Sequence, residues 1–228
     1  MATLARSLTE PFQAIVSMRS APVPRLFFLA YGFLPIGCLS LALQGAVSLH
    51  AMALFVLLPA SAAALLMGRY DRAWGRLAVA GLLSGIMAVA MYDVVRGSFV
   101  LAGAMKDPIP NIGRMALDDP MASPLWGYAW RFVWNGGAMG IAFAMLPFRG
   151  VKSGAKFGLF VCGCLFVTLA ASQAAQSRFF ILNLPNAAIA LVGHVVYGSV
   201  LGWSLDKLGT RPAHEMLREM VGHQPHAG

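Results

Sequence analysis

Six apolar segments alternate with polar connections along the chain, and this pattern predicts six membrane-spanning helices. Each segment is close to the roughly 20 residues that a helix needs to cross a hydrocarbon core about 30 Å thick. The pattern therefore predicts an all-α integral membrane protein, with a six-helix bundle over residues 26–205, an N-terminal segment 1–25 and a C-terminal tail 206–228. The predicted spans are residues 26–47, 49–67, 77–99, 125–146, 157–177 and 187–205.

The N-terminal segment has the pattern of a short helix that lies on the membrane surface. Ser7 and Glu10 have the spacing of a capping box, whose two side chains satisfy free amides of the first helical turn. Apolar residues then recur at helical spacing from Phe12 to Met18. A short helix with one apolar face favours an interfacial position, so we expect it to lie against the cytoplasmic leaflet.

The basic side chains lie almost entirely on every second connection. Twelve of the seventeen Lys and Arg residues fall on one side of the predicted bundle, three on the other side and two within spans. Connections rich in Lys and Arg stay in the cytoplasm, so both termini are predicted to be cytoplasmic, in a bacterial inner membrane. The basic side carries Arg6, Arg19, Arg25, Arg69, Arg72, Arg76, Arg149, Lys152, Lys156, Lys207, Arg211 and Arg218, the other side carries Lys106, Arg114 and Arg178, and the spans contain Arg96 and Arg131.

The composition agrees with a chain that lies mostly in lipid. Hydrophobic residues make up 58% of it and charged residues 11%, whereas soluble domains are about 25% charged. Cytoplasmic connections that face anionic lipid headgroups account for the net charge of +8, so the expected partner is a lipid bilayer and not a nucleic acid. Cys38, Cys162 and Cys164 all lie within spans, where apolar packing is the expected role and a metal site is the alternative.

Small residues recur at a spacing of four in three of the predicted spans. This spacing lets two helix backbones approach closely in lipid, so it predicts a compact bundle. The close contacts could be made within the protein or with a partner. The pairs are Gly81 and Gly85, Gly136 and Gly140, and Gly198 and Gly202.

Three helix-breaking features lie near the predicted membrane midplane. Pro35 and Pro59 are expected to kink the first and second spans, and Asn135 is followed by two glycines in the fourth. If the spans formed two inverted halves, Pro35 and Gly136 would occupy corresponding positions, and transporters place their sites at such paired breaks. Pro and Gly are also common in ordinary membrane helices, so both interpretations stay open.

Polar and ionisable side chains are concentrated in the predicted outer half of the bundle. Burying such groups in a membrane is costly, which makes each of them a candidate for function. Several are three or four positions apart and so share a helix face. We therefore expect a polar pocket open to the outer aqueous compartment, beside an aromatic stripe of Trp126, Trp130 and Trp134. The candidate ligand or ion pocket consists of Asp93, Arg96, Arg131, Asn135, Gln173, Gln176, His194 and Tyr197.

The same residues have two plainer explanations. Asp93 could neutralise Arg96 or Arg131, and His194 could bond to a carbonyl or to Tyr197. Polar contacts of this kind between membrane helices contribute about 0.6 kcal/mol each on average. Contact with a partner protein is the other alternative.

Nothing in the sequence favours catalysis. A nucleophile needs an adjacent base and an orienting group, and a membrane zinc hydrolase needs a cluster such as His-Glu-x-x-His; neither pattern is present. We therefore predict a non-catalytic protein without a metal or cofactor. A haem or chlorin held by His194 alone is the weaker alternative.

Two segments carry a family resemblance. The last span reads Gly-His-Val-Val-Tyr-Gly-Ser-Val-Leu-Gly from Gly193 to Gly202, and the fourth span contains Gly-Tyr-Ala-Trp-Arg-Phe-Val-Trp-Asn-Gly-Gly from Gly127 to Gly137. Together they resemble uncharacterised bacterial multi-pass inner-membrane proteins, including YagU-like proteins. In that pattern a His often stands where this chain has Arg131. The resemblance implies an inner-membrane location and no particular activity.

Two function classes follow from these patterns. The first is an accessory or assembly subunit of a larger membrane complex, in contact with other membrane subunits or with copies of itself. It is favoured by the small size of the chain, the lack of polar groups in the inner half and the many small residues. The second is a small transporter or channel with an outward-facing pocket around Asp93, Arg131 and His194.

Overall fold

The protein is helical throughout the part of the chain that the structure, a computed structural model, describes. That part comprises residues 22–208 and Glu215, and it contains no strand. Five of its helices are long and apolar enough to cross a membrane. They are α1 (Pro22–Leu43), α2 (Leu49–Tyr70), α3 (Arg72–Leu101), α6 (Gly150–Ala170) and α8 (Leu184–Lys207).

A further stretch, residues 124–145 (α5), is also helical from end to end but contains a π-helical segment. Pro124–Trp130 and Ala138–Met145 are α-helical, and Arg131–Gly137 between them is π-helical. Helix α2 has a similar segment at Ala53–Leu57, just before Pro59. Proline has no N–H to donate and its ring crowds the preceding turn, which explains a local change of winding there.

Two short helices lie in the longer connections and define one end of the bundle. Helix α4 (Ile109–Leu117) lies between α3 and α5, and helix α7 (Gln173–Arg178) lies between α6 and α8. We call the end that carries these helices the long-connection end. The opposite end, where α1 and α6 begin and α8 ends, is called the basic end. There Arg25 donates to the Met145 carbonyl at 2.9 Å and Arg149 donates to the Ala144 carbonyl at 3.0 Å.

Glycines bring two helix pairs into direct backbone contact. A Cβ built on Gly85 would overlap the Gly136 carbonyl oxygen, so only glycine allows α3 and α5 to pack at this distance. In the same way, a Cβ on Gly154 would overlap the Gly198 carbonyl oxygen between α6 and α8. The three predicted glycine pairs therefore make contacts within the chain, and Gly154 in α6 adds a position that the sequence analysis missed.

Two predicted spans extend past the ends of their helices. Helix α1 ends at Leu43 rather than residue 47, because Gly45 adopts a left-handed φ of 82°. The predicted span 157–177 is instead α6, which ends at Ala170 and is followed by a separate helix whose first turn is capped by Ser172. The predicted surface helix and the C-terminal tail beyond residue 208 lie outside the described residues, apart from Glu215.

The buried apolar side chains form two clusters. One lies toward the basic end and includes Phe28, Trp74 and Phe143. The other lies toward the long-connection end and includes Ile109 and Trp130. Residues of both clusters line one cavity, together with five of the eight polar candidates.

Candidate functional site

Asp93 of α3 joins the two arginines that lie within the bundle. Both carboxylate oxygens of Asp93 accept from Arg131 Nε, at 2.7 and 2.8 Å, and one of them also accepts from Arg96 Nε at 3.1 Å. The side chains of all three residues are no more than 12% exposed. The expected neutralisation of the arginines by Asp93 is therefore present, and it applies to both at once.

Asp107, in the connection before α4, provides a second carboxylate that the sequence analysis did not include. It accepts from Arg96 Nη1, from the Tyr128 hydroxyl at 2.7 Å and from the Ile109 amide at 3.0 Å. Two carboxylates thus balance two guanidinium groups, and the long connection is tied to both α3 and α5. We call Asp93, Arg96, Asp107 and Arg131 the ion-pair network.

Burial and hydrogen bonding act in opposite directions on Asp107. Burial alone would raise the pKa of its carboxyl group, but the Ile109 amide, the Tyr128 hydroxyl and the charge of Arg96 together lower the pKa below its ordinary value. The carboxylate form is therefore favoured by its surroundings.

An aromatic stack lies under Arg131. Its guanidinium carbon is 4.5 Å from the centre of the Tyr92 ring, which is the geometry of a cation–π contact. The Tyr92 ring meets His194 edge to face with 5.1 Å between ring centres. Gly193 makes room for Tyr92, because a Cβ at that position would lie 2.7 Å from the Tyr92 ring.

A cavity of about 270 Å³ lies beside the ion-pair network. Its wall is formed mainly by helices α1, α3, α5, α6 and α8, and most of that wall is apolar. Arg96, Arg131 and His194 line it, whereas Asp93 and Asp107 do not. We call this space the Arg131 cavity.

The Arg131 cavity is covered toward the long-connection end, and we infer from its exposed lining residues that it reaches the surface between two helices. Met105, Ile109 and Phe180, all buried, belong to the connections and line the covered end. Among the lining residues, Gly37 of α1 and Cys164 of α6 are the two that are exposed. We call the gap between them the lateral opening. The sequence predicts a pocket open to the outer aqueous compartment, whereas buried residues of the connections cover the long-connection end of this cavity.

Two further predicted residues belong to the cavity wall. Asn135 accepts from Trp130 Nε1 at 3.1 Å, and the Tyr197 hydroxyl donates to the Gly136 carbonyl at 3.0 Å. His194 Nδ1 lies 2.7 Å from the Ala190 carbonyl oxygen. Because a carbonyl can only accept, Nδ1 carries the proton in this bond and Nε2 is left as an acceptor.

The two predicted glutamines lie elsewhere. Gln173 is exposed at the start of α7. Gln176 donates to the Leu169 carbonyl at 3.2 Å and accepts from the Leu182 amide at 2.9 Å, so it links the two ends of a connection. The structure does not bring either side chain to the cavity wall.

The π-helical segment of α5 carries much of the site. It begins at Arg131 and ends at Gly137, and it includes Asn135 and Gly136. Such segments are rare and are often found at functional sites. In an α-helix, Arg131 and Asn135 would face the same direction; the wider turn changes the relative directions of side chains before and after it.

One polar atom of the site has no partner. Arg131 Nη2 is buried and has no hydrogen-bond acceptor in the part of the chain that the structure describes. A buried donor left unpaired costs about 1–3 kcal/mol or more when it is charged.

The described residues contain no group of three or more His, Cys, Asp or Glu side chains placed to hold a metal ion. Cys38 and Cys162 are buried and Cys164 is exposed, and all three are free thiols.

Comparison with known proteins adds no family or relative. The chain matches no family model, no curated protein and no solved structure. The resemblance to YagU-like proteins therefore stays a prediction from the sequence.

Proposed function

We propose that this is a six-span protein of a bacterial inner membrane with both termini in the cytoplasm. Five helices meet the length and composition of a span, and the 22-residue helical stretch 124–145 packs against α1 and α3 like a sixth. The basic end is the cytoplasmic end in this proposal. The helix ends and connections there carry Arg69, Arg72, Arg149, Lys152 and Lys207, as the positive-inside rule requires.

The function that the geometry supports best is the non-catalytic binding of a small molecule in the Arg131 cavity. The observation that carries this proposal is a mostly apolar cavity of about 270 Å³ that is lined by two buried arginines, Arg96 and Arg131. Binding sites for small molecules are concave and mostly apolar, with a few placed polar groups. The volume is slightly below the usual lower limit of about 300 Å³, so the expected ligand is small or only partly enclosed.

Transport through the protein is less favoured than binding. Toward the basic end, the space below the cavity is filled by apolar side chains such as Phe143 and Leu201, both fully buried. Close glycine contacts on both sides of this region leave little freedom for the helices to separate. A transporter would need a second state in which these contacts are broken.

A cavity-filling substitution tests the proposal. Leu165 lines the cavity, so Leu165→Trp should fill it and abolish binding. Leu159→Trp is the matched control, because Leu159 is on the same helix, 45% exposed and absent from the wall. Protein purified from native membranes in mild detergent is examined by native mass spectrometry for a retained small molecule. We expect retention in the wild type and the control and loss in Leu165→Trp; equal retention in all three would overturn the proposal.

An accessory role in a larger complex is the second candidate. It is favoured by the position of α2, because none of the residues Leu58–Tyr70 is buried and this helix lies at the edge of the bundle. The same preparation tests it. Stoichiometric membrane proteins in the purified peak would support an accessory subunit, and a protein that purifies alone would contradict it.

An absorption spectrum of that peak tests the haem or chlorin hypothesis for His194, which predicts a visible band.

A further inference from the structure

We propose that the ligand of the Arg131 cavity is a single-chain amphiphile with an anionic headgroup, taken up from the outer leaflet through the lateral opening. This inference rests on the proposed binding function and specifies the chemistry of its ligand.

The wall charge favours an anion. The charged side chains that line the cavity are Arg96 and Arg131, and their carboxylate partners lie outside the wall. Asp93 and Asp107 hold the guanidinium groups in place, so these groups are oriented before a ligand arrives. Arg131 is nine-tenths buried and its Nη2 lacks an acceptor. An acid oxygen is the acceptor that pairs best with guanidinium.

The position of the opening favours a ligand from the membrane. Gly37 is six residues from the end of α1, and Cys164 is six residues from the end of α6. At 1.5 Å per residue, both lie about 9 Å below the long-connection ends of their helices. The lateral opening is therefore at the depth of acyl chains rather than in water, and a Cβ at Gly37 would meet no atom within 4 Å.

The volume sets the number of chains. The cavity of about 270 Å³ is slightly smaller than the usual small-molecule site of about 300 Å³ or more. This space suits a headgroup and the first part of one chain, while the rest of the chain extends through the lateral opening. We therefore expect one chain rather than the two of a phospholipid.

Three probes with the same chain and different headgroups, together with inorganic phosphate, which has no chain, test the inference. Wild-type protein in mild detergent is titrated with dodecyl phosphate, dodecanol, dodecyltrimethylammonium and inorganic phosphate, and the bound fraction is measured by native mass spectrometry. We expect dodecyl phosphate to bind at least tenfold more tightly than dodecanol or dodecyltrimethylammonium. Tight binding of inorganic phosphate alone would overturn the membrane source, since it would show a water-soluble anion as the ligand.

Alkylation of Cys164 locates the bound chain. Cys38 and Cys162 are buried, so the exposed Cys164 is the reactive reference site, and peptide mass spectrometry reports its modification. Dodecyl phosphate should slow the alkylation at least fivefold, and dodecanol at the same concentration should not. Unchanged alkylation in the presence of bound dodecyl phosphate would place the chain elsewhere and overturn the inference.

Two variants complete the test. Arg131→Gln should lose at least tenfold in affinity for dodecyl phosphate. Because this change could also unfold the protein, Gly37→Trp provides an independent variant that obstructs the opening at a position free of neighbours. Gly163→Trp is its control, since Gly163 has equally open surroundings and does not line the cavity. We expect dodecyl phosphate binding to fall in Gly37→Trp and to persist in Gly163→Trp.

The outcomes separate this inference from the proposed function. Dodecyl phosphate, dodecanol and dodecyltrimethylammonium could bind equally well while Leu165→Trp still abolishes retention of the co-purified small molecule. The cavity would then bind a ligand without regard to its charge. If Leu165→Trp changes nothing and no chain binds, both proposals fail.

Discussion

Arg96 depends on two carboxylates from different parts of the chain. Asp93 lies one turn away on the same helix, and Asp107 arrives from the following connection. Removing one partner of a buried ion pair leaves the other charge without compensation, which is more costly than never having buried the pair. The contact between Asp107 and Arg96 therefore helps to hold the connection before α4 in place.

Neutralising Asp107 should lower the stability of the fold. In Asp107→Asn, Arg96 keeps Asp93 but loses its second carboxylate, and we expect the free energy of unfolding to fall by about 1–3 kcal/mol. Thermal unfolding in mild detergent at pH 7 measures the change. Asp118→Asn is the control, because Asp118 is exposed and its left-handed backbone conformation suits asparagine. Equal unfolding midpoints for wild type and Asp107→Asn would contradict the role given to Asp107.

The contribution of Asp107 should also depend on pH in a defined direction. Because the folded state lowers the pKa of this carboxyl group, its contribution is complete above the unfolded pKa of about 3.9. It is lost as the pH falls from there through the folded pKa. The difference in unfolding midpoint between wild type and Asp107→Asn should therefore be constant from pH 7 to about 5 and shrink below about 4. A difference that grows on acidification would have the wrong sign.

At the level of helices, the closest packing is built from glycine backbones. Gly85→Ala should push α3 and α5 apart and cost about 1–3 kcal/mol, the usual penalty for overpacking. Gly97→Ala on the same helix is the matched control, since a Cβ there meets no atom within 4 Å. Alanine has the higher helix propensity, so this control should be neutral or slightly more stable. Thermal unfolding of both variants measures the two changes in stability. Equal changes for Gly85→Ala and Gly97→Ala would show that α3 and α5 are not tightly packed at Gly85.

The helical class and most helices follow from hydropathy, but some ends do not. Hydropathy reports apolar content and not local backbone turns, so it extended the fifth span through the turn after Ala170 and counted Gln173 and Gln176 inside it. It also began that span at residue 157, which hid Gly154 from the four-residue glycine pattern. Both errors arise because a few small or short polar residues hardly change the average hydropathy of a segment.

The candidate site could be predicted in part, for a related reason. Asp93, Arg96 and Arg131 are recognisable because each carries a charge in an apolar segment. Asp107 and Tyr128 give no such signal, because a carboxylate in a connection and a tyrosine near a helix end are ordinary. The direction in which the cavity opens depends on how each helix is rotated, and the π-helical segment at Arg131–Gly137 changes that rotation locally. Periodicity alone does not contain this information.

For the whole molecule, the six-span proposal predicts the side of each connection. Alkaline phosphatase, active only outside the cytoplasm, is fused after Met121 or after Phe148, both exposed in connections. We expect activity after Met121 and none after Phe148, with the C-terminal fusion also inactive. If residues 124–145 did not span, both internal fusions would report the same side. A C-terminal green fluorescent protein fusion, fluorescent only in the cytoplasm, controls for expression.

Helix α3 is long for a membrane span, and its length relates the ion-pair network to the bilayer. Its 30 residues extend for about 45 Å, which equals the thickness of a bilayer with both headgroup layers. Arg96 lies in its last two turns and is joined to Asp107 in the next connection. A thinner bilayer would be expected to make α3 tilt, and a thicker one to draw its end inward. If the protein spans the bilayer as proposed, we therefore expect the occupancy of its cavity to vary with the acyl-chain length of the surrounding lipid.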